Sequence, residues 1–318
     1  METNNNQPNF FVVGCVKGGT TSLHNYLLQH PEIYLTPIKE TNYFSRKDMD
    51  PKHFRKDYAY DVALDLEKYF KNQPLKPVHI AQVTESKHYL KLYAGVKDEK
   101  VKGEICNSYL ICESAAAEIK REFPNAKIAM ILRNPIDRAF SQYLMNLKEA
   151  KAINRSFLEE IEKDQKSELK GWGISHQYLE LGLYYEQVKR YFDLFPKEQI
   201  KIILYEEYKN SIESVLQELC DFLGVDNHFS FDTDLKLNEK GLPRFKYLNY
   251  ALTQLGIIKL FKNLLSKPIR QKLARMIYSS DKLKEIQAEE REFLIDYYKE
   301  DITNLSNLID RDLKSWLS

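Results

Sequence analysis

Residues Phe10 to Leu28, FFVVGCVKGGTTSLHNYLL, leave few structural alternatives. The run Phe10-Phe11-Val12-Val13 is continuously apolar, as a parallel strand covered on both faces must be. It stops at Gly14. A loop from Gly14 to Thr21 follows, and then Leu23, Tyr26 and Leu27 fall on one helical face. A strand, a glycine-containing turn and a helix form an anion cradle. Glycines let the backbone come close to the ligand, and the helix N-terminus offers free N–H groups and the positive end of its dipole. Lys17 adds a full charge; Thr20, Thr21 and Ser22 add hydroxyls. The order is not that of a Walker A loop, in which lysine directly precedes the hydroxyl residue. Here Lys17 precedes Gly18 and Gly19. This is a phosphate loop of another design, a fuller account than a tight turn with an incidental lysine.

A second segment repeats the logic. Lys127 to Leu132 (KIAMIL) reads as a central strand and ends in Arg133-Asn134-Pro135. Asn134 suits an N-cap and Pro135 the first helical turn. Ile136, Ala139, Phe140, Tyr143, Leu144 and Leu147 then share a helical face, with Ser141 off that stripe. Ligands of open α/β sheets bind at the carboxyl ends of strands. Arg133 and Ser141 are suited to share a phosphate there, one by charge and one by hydroxyl. Asp137 and Arg138 read as a structural ion pair.

The wider pattern alternates. Strands are expected at 10–14, 101–106, 127–133 and 199–205, with a weaker one at 78–84. Helices are expected at 20–29, 113–122, 135–149, 182–194 and 211–223. Such alternation implies an α/β fold with a central parallel sheet and helices on both faces. From about 245 the pattern is helical only, and no linker precedes it. The expectation is a single domain over 1–318, with a core of about 8–225 and a helical C-terminal extension of about 245–318.

The two loop segments carry a resemblance. Lys17-Gly18-Gly19-Thr20-Thr21-Ser22 resembles the 5′-phosphosulfate loop of sulfotransferases that use 3′-phosphoadenosine 5′-phosphosulfate (PAPS), and Arg133 to Ser141 resembles their 3′-phosphate motif. Gly182-Leu183-Tyr184, the strand and acidic turn Ile200 to Glu207, Phe222-Leu223-Gly224 and the tail at Trp316-Leu317 also suit the family. Lys39-Glu40-Thr41-Asn42-Tyr43-Phe44 is similar to the K-E-x-x-[FY]-F segment of its heparan-sulfate (carbohydrate) branch. The resemblance implies that Glu40 is the catalytic base, in place of the histidine of the cytosolic phenol and steroid branch. Without that motif, Lys39 and Glu40 would read as a surface charge pair. Lys240-Gly241-Leu242-Pro243-Arg244 resembles the segment that closes over the 3′-phosphate. Glu104, in a partial match to E-K-[ST]-P-x-Y with Ile105 for the lysine, reads equally as an acceptor-cleft group or a strand-end acid.

The implied activity is sulfuryl transfer from PAPS (EC 2.8.2 type) to a hydroxyl or amine, on a small molecule or a glycan. Lys17 would hold the leaving oxygen, loop N–H groups would stabilise the developing phosphate, and Glu40 would take the acceptor proton. No metal is expected in this scheme. Two other readings stay open: a P-loop kinase or NTPase, which needs lysine directly before Thr20, and a noncatalytic nucleotide-binding scaffold. Trp172 and His176 are candidate acceptor contacts, Trp172 by stacking on a sugar; loop packing is the plainer account of both. His24 reads as structural. His79 and His88 lie in a region without diagnostic motifs.

Composition excludes some classes. Across 318 residues the formal net charge is +1, so nothing suggests nucleic acid. The four cysteines, Cys15, Cys106, Cys112 and Cys220, show neither metal nor disulfide spacing. No apolar run approaches the ~20 residues of a membrane span, and Met1 to Pro8 lack a signal-peptide core. The expectation is a cytoplasmic, soluble bacterial relative of the Golgi enzymes. Residues 240–280 carry nine Lys or Arg and no acid. Their helical part, 255–275, could rest on an anionic membrane; an amphipathic helix with a solvated basic side is the simpler account.

Overall fold

The computed structural model describes residues 6–149, 151–152, 156–234, 242–243, 278–279 and 285–318. Its strands are β1 (Phe10–Val12), β2 (Ile33–Leu35), β3 (Ile38–Glu40), β4 (Val78–Ile80), β5 (Val101–Ile105), β6 (Lys127–Leu132) and β7 (Ile200–Leu204). Five of them form one sheet in the order β2-β5-β1-β6-β7, and β3 pairs with β4 in a second, two-stranded sheet. Every pairing among these seven is parallel. A short antiparallel pair joins Leu242–Pro243 to Tyr278–Ser279.

The central strand explains the doubly covered sheet. Phe11 of β1 and Val13 just after it join Ile128, Met130 and Leu132 on one face, against Ile136, Tyr184, Leu294 and Tyr298. Phe10 and Val12 join Ala129 and Ile131 on the other, against Leu23, Leu27, Leu216 and Leu219. All four β1-run side chains are fully buried. Each contributes roughly 1.5–3 kcal/mol through removal from water, which is why the alternation of polar residues seen in one-sided sheets is missing here.

The helices begin and end where their sequences direct. The helix Pro135–Lys148 starts with Asn134 Oδ1 accepting from the Ile136 N–H at 2.9 Å and with Pro135 in its first turn. The helix Ile212–Leu223 stops at Gly224, whose φ of 78° suits glycine. The helix Tyr184–Leu194 has no side-chain cap of its own. Asp301, on the C-terminal helix Ala288–Ile309, accepts from the Tyr184 and Tyr185 amides instead, at 2.8 and 3.0 Å. The C-terminal helix is thereby tied to the α/β core.

Most expected elements appear with their ends shifted by a few residues. The weaker strand expected at 78–84 is Val78–Ile80, outside the main sheet. The three-residue strands β2 and β3 were not foreseen, nor were the short helices Lys56–Val62, Leu66–Tyr69 and Ser86–Lys91. Residues 255–275 lie outside the described residues. Among the described residues no helix is long and apolar enough to cross a membrane.

Candidate functional site

The strand order puts the carboxyl ends of β5, β1 and β6 side by side. The chain leaves β1 toward β2 and returns through β5 before crossing to β6, so a crevice opens between β1 and β6 where ligands of such sheets bind. Backbone pairing continues past β1: Val13 N–H bonds Ala129 O at 3.0 Å and Cys15 N–H bonds Ile131 O at 2.6 Å. The loop then turns sharply. Gly19 has a φ of 90°, and a Cβ on Gly18 would lie 3.0 Å from Cys15 O, Cys15 Sγ and Ile131 O, so both positions require glycine. The first backbone bond into the helix Thr20–Leu27 is Leu23 N–H to Gly19 O, at 3.1 Å. The amides ahead of it have no intrahelical partner, as at any helix N-terminus.

Lys17 takes a positive φ of 65°. Its Nζ lies 3.4 Å from Met145 Sδ and has no acid within ion-pair distance among the described residues. Burial holds its pKa below the usual lysine range; the Glu149 charge opposes the shift, and the Arg133 and Arg138 charges add to it. Arg133 donates Nη1 to the Lys17 carbonyl at 3.1 Å and stacks over the Tyr205 ring, 4.5 Å from its centroid. Ser141 and Met145 are four residues apart on the helix Pro135–Lys148, so they share a face. Met145 touches Lys17, so the Ser141 face looks toward the loop.

Glu40 ends β3 and is 4% exposed. Three donors converge on its Oε1: Lys39 Nζ at 2.6 Å, Asn107 Nδ2 at 3.0 Å and, farther off, His79 Nε2 at 3.9 Å. Among the described residues none of these contacts falls on Oε2. Lys39 is as deeply buried as Glu40. The two do pair, but inside the molecule, where one partner alone would cost several kcal/mol. Asn107 follows β5, so Glu40 is fixed beside the strand end adjacent to the phosphate loop.

The model of the sulfotransferase family matches residues 8–229. The chain belongs to this family. It is 30% identical to a sulfotransferase from Alicyclobacillus acidocaldarius, with a TM-score of 0.72 over 98% of this chain and 99% of that one. It is 24% identical to the membrane-associated sulfotransferase kil1 of Dictyostelium discoideum over 96% of this chain and 66% of that protein. It is 26% identical to the human bifunctional heparan sulfate N-deacetylase/N-sulfotransferase 3 over 98% of this chain and 31% of that protein. The chain therefore spans about two thirds of the first of these curated relatives and under a third of the second.

Other expected residues of this sulfotransferase-family chain lie elsewhere or are otherwise engaged. Thr20 is buried and Thr21 exposed. Ser22 donates its hydroxyl to Gly19 O at 2.7 Å and accepts from Tyr208 OH at 3.2 Å, so it braces the loop rather than offering a free donor. Glu104 is not an open cleft group. It is fully buried, accepts from Thr41 Oγ1 at 3.1 Å, and is bonded by the hydroxyls of Tyr109, Tyr89 and Tyr93. Burial pushes its pKa up to about 7 despite those bonds. His176 is buried, with Lys170 Nζ 3.3 Å from its Nε2 and Asp164 Oδ1 3.9 Å from its Nδ1, which is a loop-packing arrangement. Trp172 is partly exposed and stacks on Tyr58 at 6.5 Å. Lys240, Gly241 and Arg244 lie outside the described residues. The expected Asp137–Arg138 pair does not form: Asp137 pairs with Arg291 at 3.0 Å, and Arg138 turns inward.

Sequence reasoning missed Asn107, Met145, Tyr205 and the approach of His79 to Glu40. Asn107 stands inside the partly matched E-K-[ST]-P-x-Y segment, and Tyr205 directly follows β7; those were the available signals. His24 has a buried Nε2 without a partner, and burial, then the Lys39 charge, lowers its pKa to about 4.

Proposed function

We propose that the chain is a PAPS-dependent sulfotransferase that sulfates a hydroxyl or amine of a carbohydrate or glycoconjugate. The observation that carries the proposal is the grouping at three adjacent strand ends: Glu40, held by Asn107 after β5; Lys17, after β1; and Arg133, after β6. Bound PAPS would supply the sulfuryl group together with a phosphate leaving group. The residues present fit such a donor. The first-turn amides of the helix Thr20–Leu27 and a buried lysine with no ion-paired acid among the described residues suit a 5′-phosphosulfate. Arg133, on the Tyr205 ring, and the Ser141 face suit a 3′-phosphate.

In this reading Lys17 stabilises charge on the leaving oxygen, an effect typically worth ~10²–10³ in rate. Glu40 accepts the acceptor proton on Oε2 while Lys39 and Asn107 hold Oε1. Trp172, stacked on Tyr58, forms the aromatic side of the acceptor cleft; Tyr58 OH in turn accepts from Asn42 Nδ2, two residues from Glu40. The similarity to a heparan sulfate N-sulfotransferase and the Lys39–Phe44 segment favour a sugar acceptor.

The test is calorimetric binding of 3′-phosphoadenosine 5′-phosphate (PAP), with ADP and ATP alongside and no magnesium. Binding that requires the 3′-phosphate is expected. Preference for ATP, or no binding of any of the three, would overturn the proposal.

A further inference from the structure

Arg138 is fully buried, yet it has no acidic partner within ion-pair distance among the described residues. Its Nη2 donates to the carbonyls of Gln177 and Tyr178, and the Tyr298 hydroxyl lies against it. Its Nε and Nη1 are buried and have no hydrogen-bond partner. A guanidinium stays charged in any protein, so this is a cation whose removal from water is only partly offset. Its neighbours are informative. Arg138 lies seven residues before Met145 on the helix Pro135–Lys148 and so shares the face whose Met145 meets Lys17, and its charge acts on Cys15, Lys17 and Tyr184, whose hydroxyl donates to Cys15 Sγ at 3.3 Å. Burial keeps the Cys15 thiol protonated, so it is no counter-ion. Asp137 is taken by Arg291 and Asp301 by the Tyr184 and Tyr185 amides. Asp164, buried nearby, accepts from the Gln177 and Tyr178 amides, so among the described residues no carboxylate pairs with Arg138, and the ligand proposed above for that loop is an anion.

We propose that Arg138 is a positioning residue for the donor: a fixed buried cation beneath the phosphate loop whose field is neutralised only when a polyanionic nucleotide occupies the loop. The inference rests on the donor reading above. It assigns to Arg138 a part of the site's preference for highly charged nucleotides, without contact between the side chain and the ligand. In the low-dielectric interior such a field is screened far less than at the surface. The free protein carries the unneutralised charge, so binding relieves a cost that a neutral ligand would leave in place.

The experiment compares PAP with adenosine 5′-phosphate on wild type, Arg138→Lys and Arg138→Gln, by calorimetry at low and moderate salt. Arg138→Gln should lose about tenfold in affinity for PAP and clearly less for adenosine 5′-phosphate. Arg138→Lys, which keeps the charge, should stay within about threefold of wild type for both. Equal losses for the two nucleotides, or equal losses in the two variants, would mean that Arg138 acts by packing alone and would overturn the inference. Should Arg138→Gln not fold, the wild-type chain decides. PAP must shift the Arg138 Nε–H resonance more than adenosine 5′-phosphate does, and equal shifts overturn the inference. Failure of PAP to bind wild type would instead overturn the donor reading itself.

Discussion

Arg133 reaches across the crevice between β1 and β6 and donates its Nη1 to the carbonyl of Lys17, at 3.1 Å. One guanidinium thus braces the loop that carries the other cation, and its plane is held by the Tyr205 ring. If Arg133 holds the nucleotide as proposed, binding and loop shape are coupled through that one side chain.

Arg133→Ala is expected to weaken PAP binding by ~10- to 100-fold, the range of a lost charge-assisted contact. Arg133→Lys should recover little, because an ammonium cannot both stack on Tyr205 and reach the Lys17 carbonyl. Calorimetry on the two variants checks this, and unchanged affinity in Arg133→Ala would remove the residue from the donor site.

Glu40→Gln should lower turnover by ~10²–10⁴ with PAP affinity nearly intact. It also leaves the buried Lys39 without its counter-charge, so the variant should unfold at lower denaturant concentration than wild type. Asn107→Ala should cost less on both counts. Wild-type turnover in Glu40→Gln would exclude it as the base.

Lys17 gives a pH dependence of binding. Its pKa is held below the usual value by burial, and only the charged form attracts the donor. PAP affinity should therefore fall as pH rises through the alkaline range, with an onset below that of an ordinary lysine. Lys17→Met should bind PAP weakly at every pH and show no such fall. A wild-type affinity flat to pH 10.5 would contradict the assignment.

Glu104 gives a pH dependence of stability. Its carboxyl moves from an ordinary 4.5 to about 7 in the fold, because burial disfavours the charge. The folded chain then holds a proton that the unfolded chain has released, so stability must decline as pH rises from 4.5 to about 7. The contribution is fully present below 4.5 and lost above about 7, a change of up to ~3 kcal/mol. Asp301, raised to about 6, adds a smaller decline of the same sign. Urea unfolding from pH 4.5 to 8 should show the slope in wild type and a shallower one in Glu104→Gln.

The sheet was legible because β1 and β6 are covered on both faces, and a strand in that position is a nearly continuous apolar run. The sharp strand-to-helix turn was legible because the glycines at 18 and 19 answer backbone demands that other residues meet only at a cost. The surroundings of Glu40 were not. Strands β2 and β3 have three residues each, too short for any period to register, and β3 carries Lys39 and Glu40 into the interior against their usual preference. Asn107 and His79 reach Glu40 from 67 and 39 positions away along the chain, a meeting that follows from strand order and not from local pattern. Arg138 was misassigned for a similar reason: adjacency to Asp137 suggested a pair, but on a helix neighbouring residues diverge in direction.

Glu40 belongs to the two-stranded sheet, whereas Lys17 and Arg133 hang from the five-stranded one. Side chains bridge the gap, Asn107 to Glu40 and Glu104 with Tyr109 to Thr41, rather than a ladder of main-chain bonds. The strand ends proposed to grip the nucleotide and the strand end proposed to activate the acceptor thus belong to different sheets over one shared core, in which Ile38, Phe44 and Ala81 pack with Phe11 and Val13. On the proposed reading, changes at those side-chain bridges, or on β4 beyond them, would re-aim Glu40 while the five-stranded sheet and its loops keep their shape.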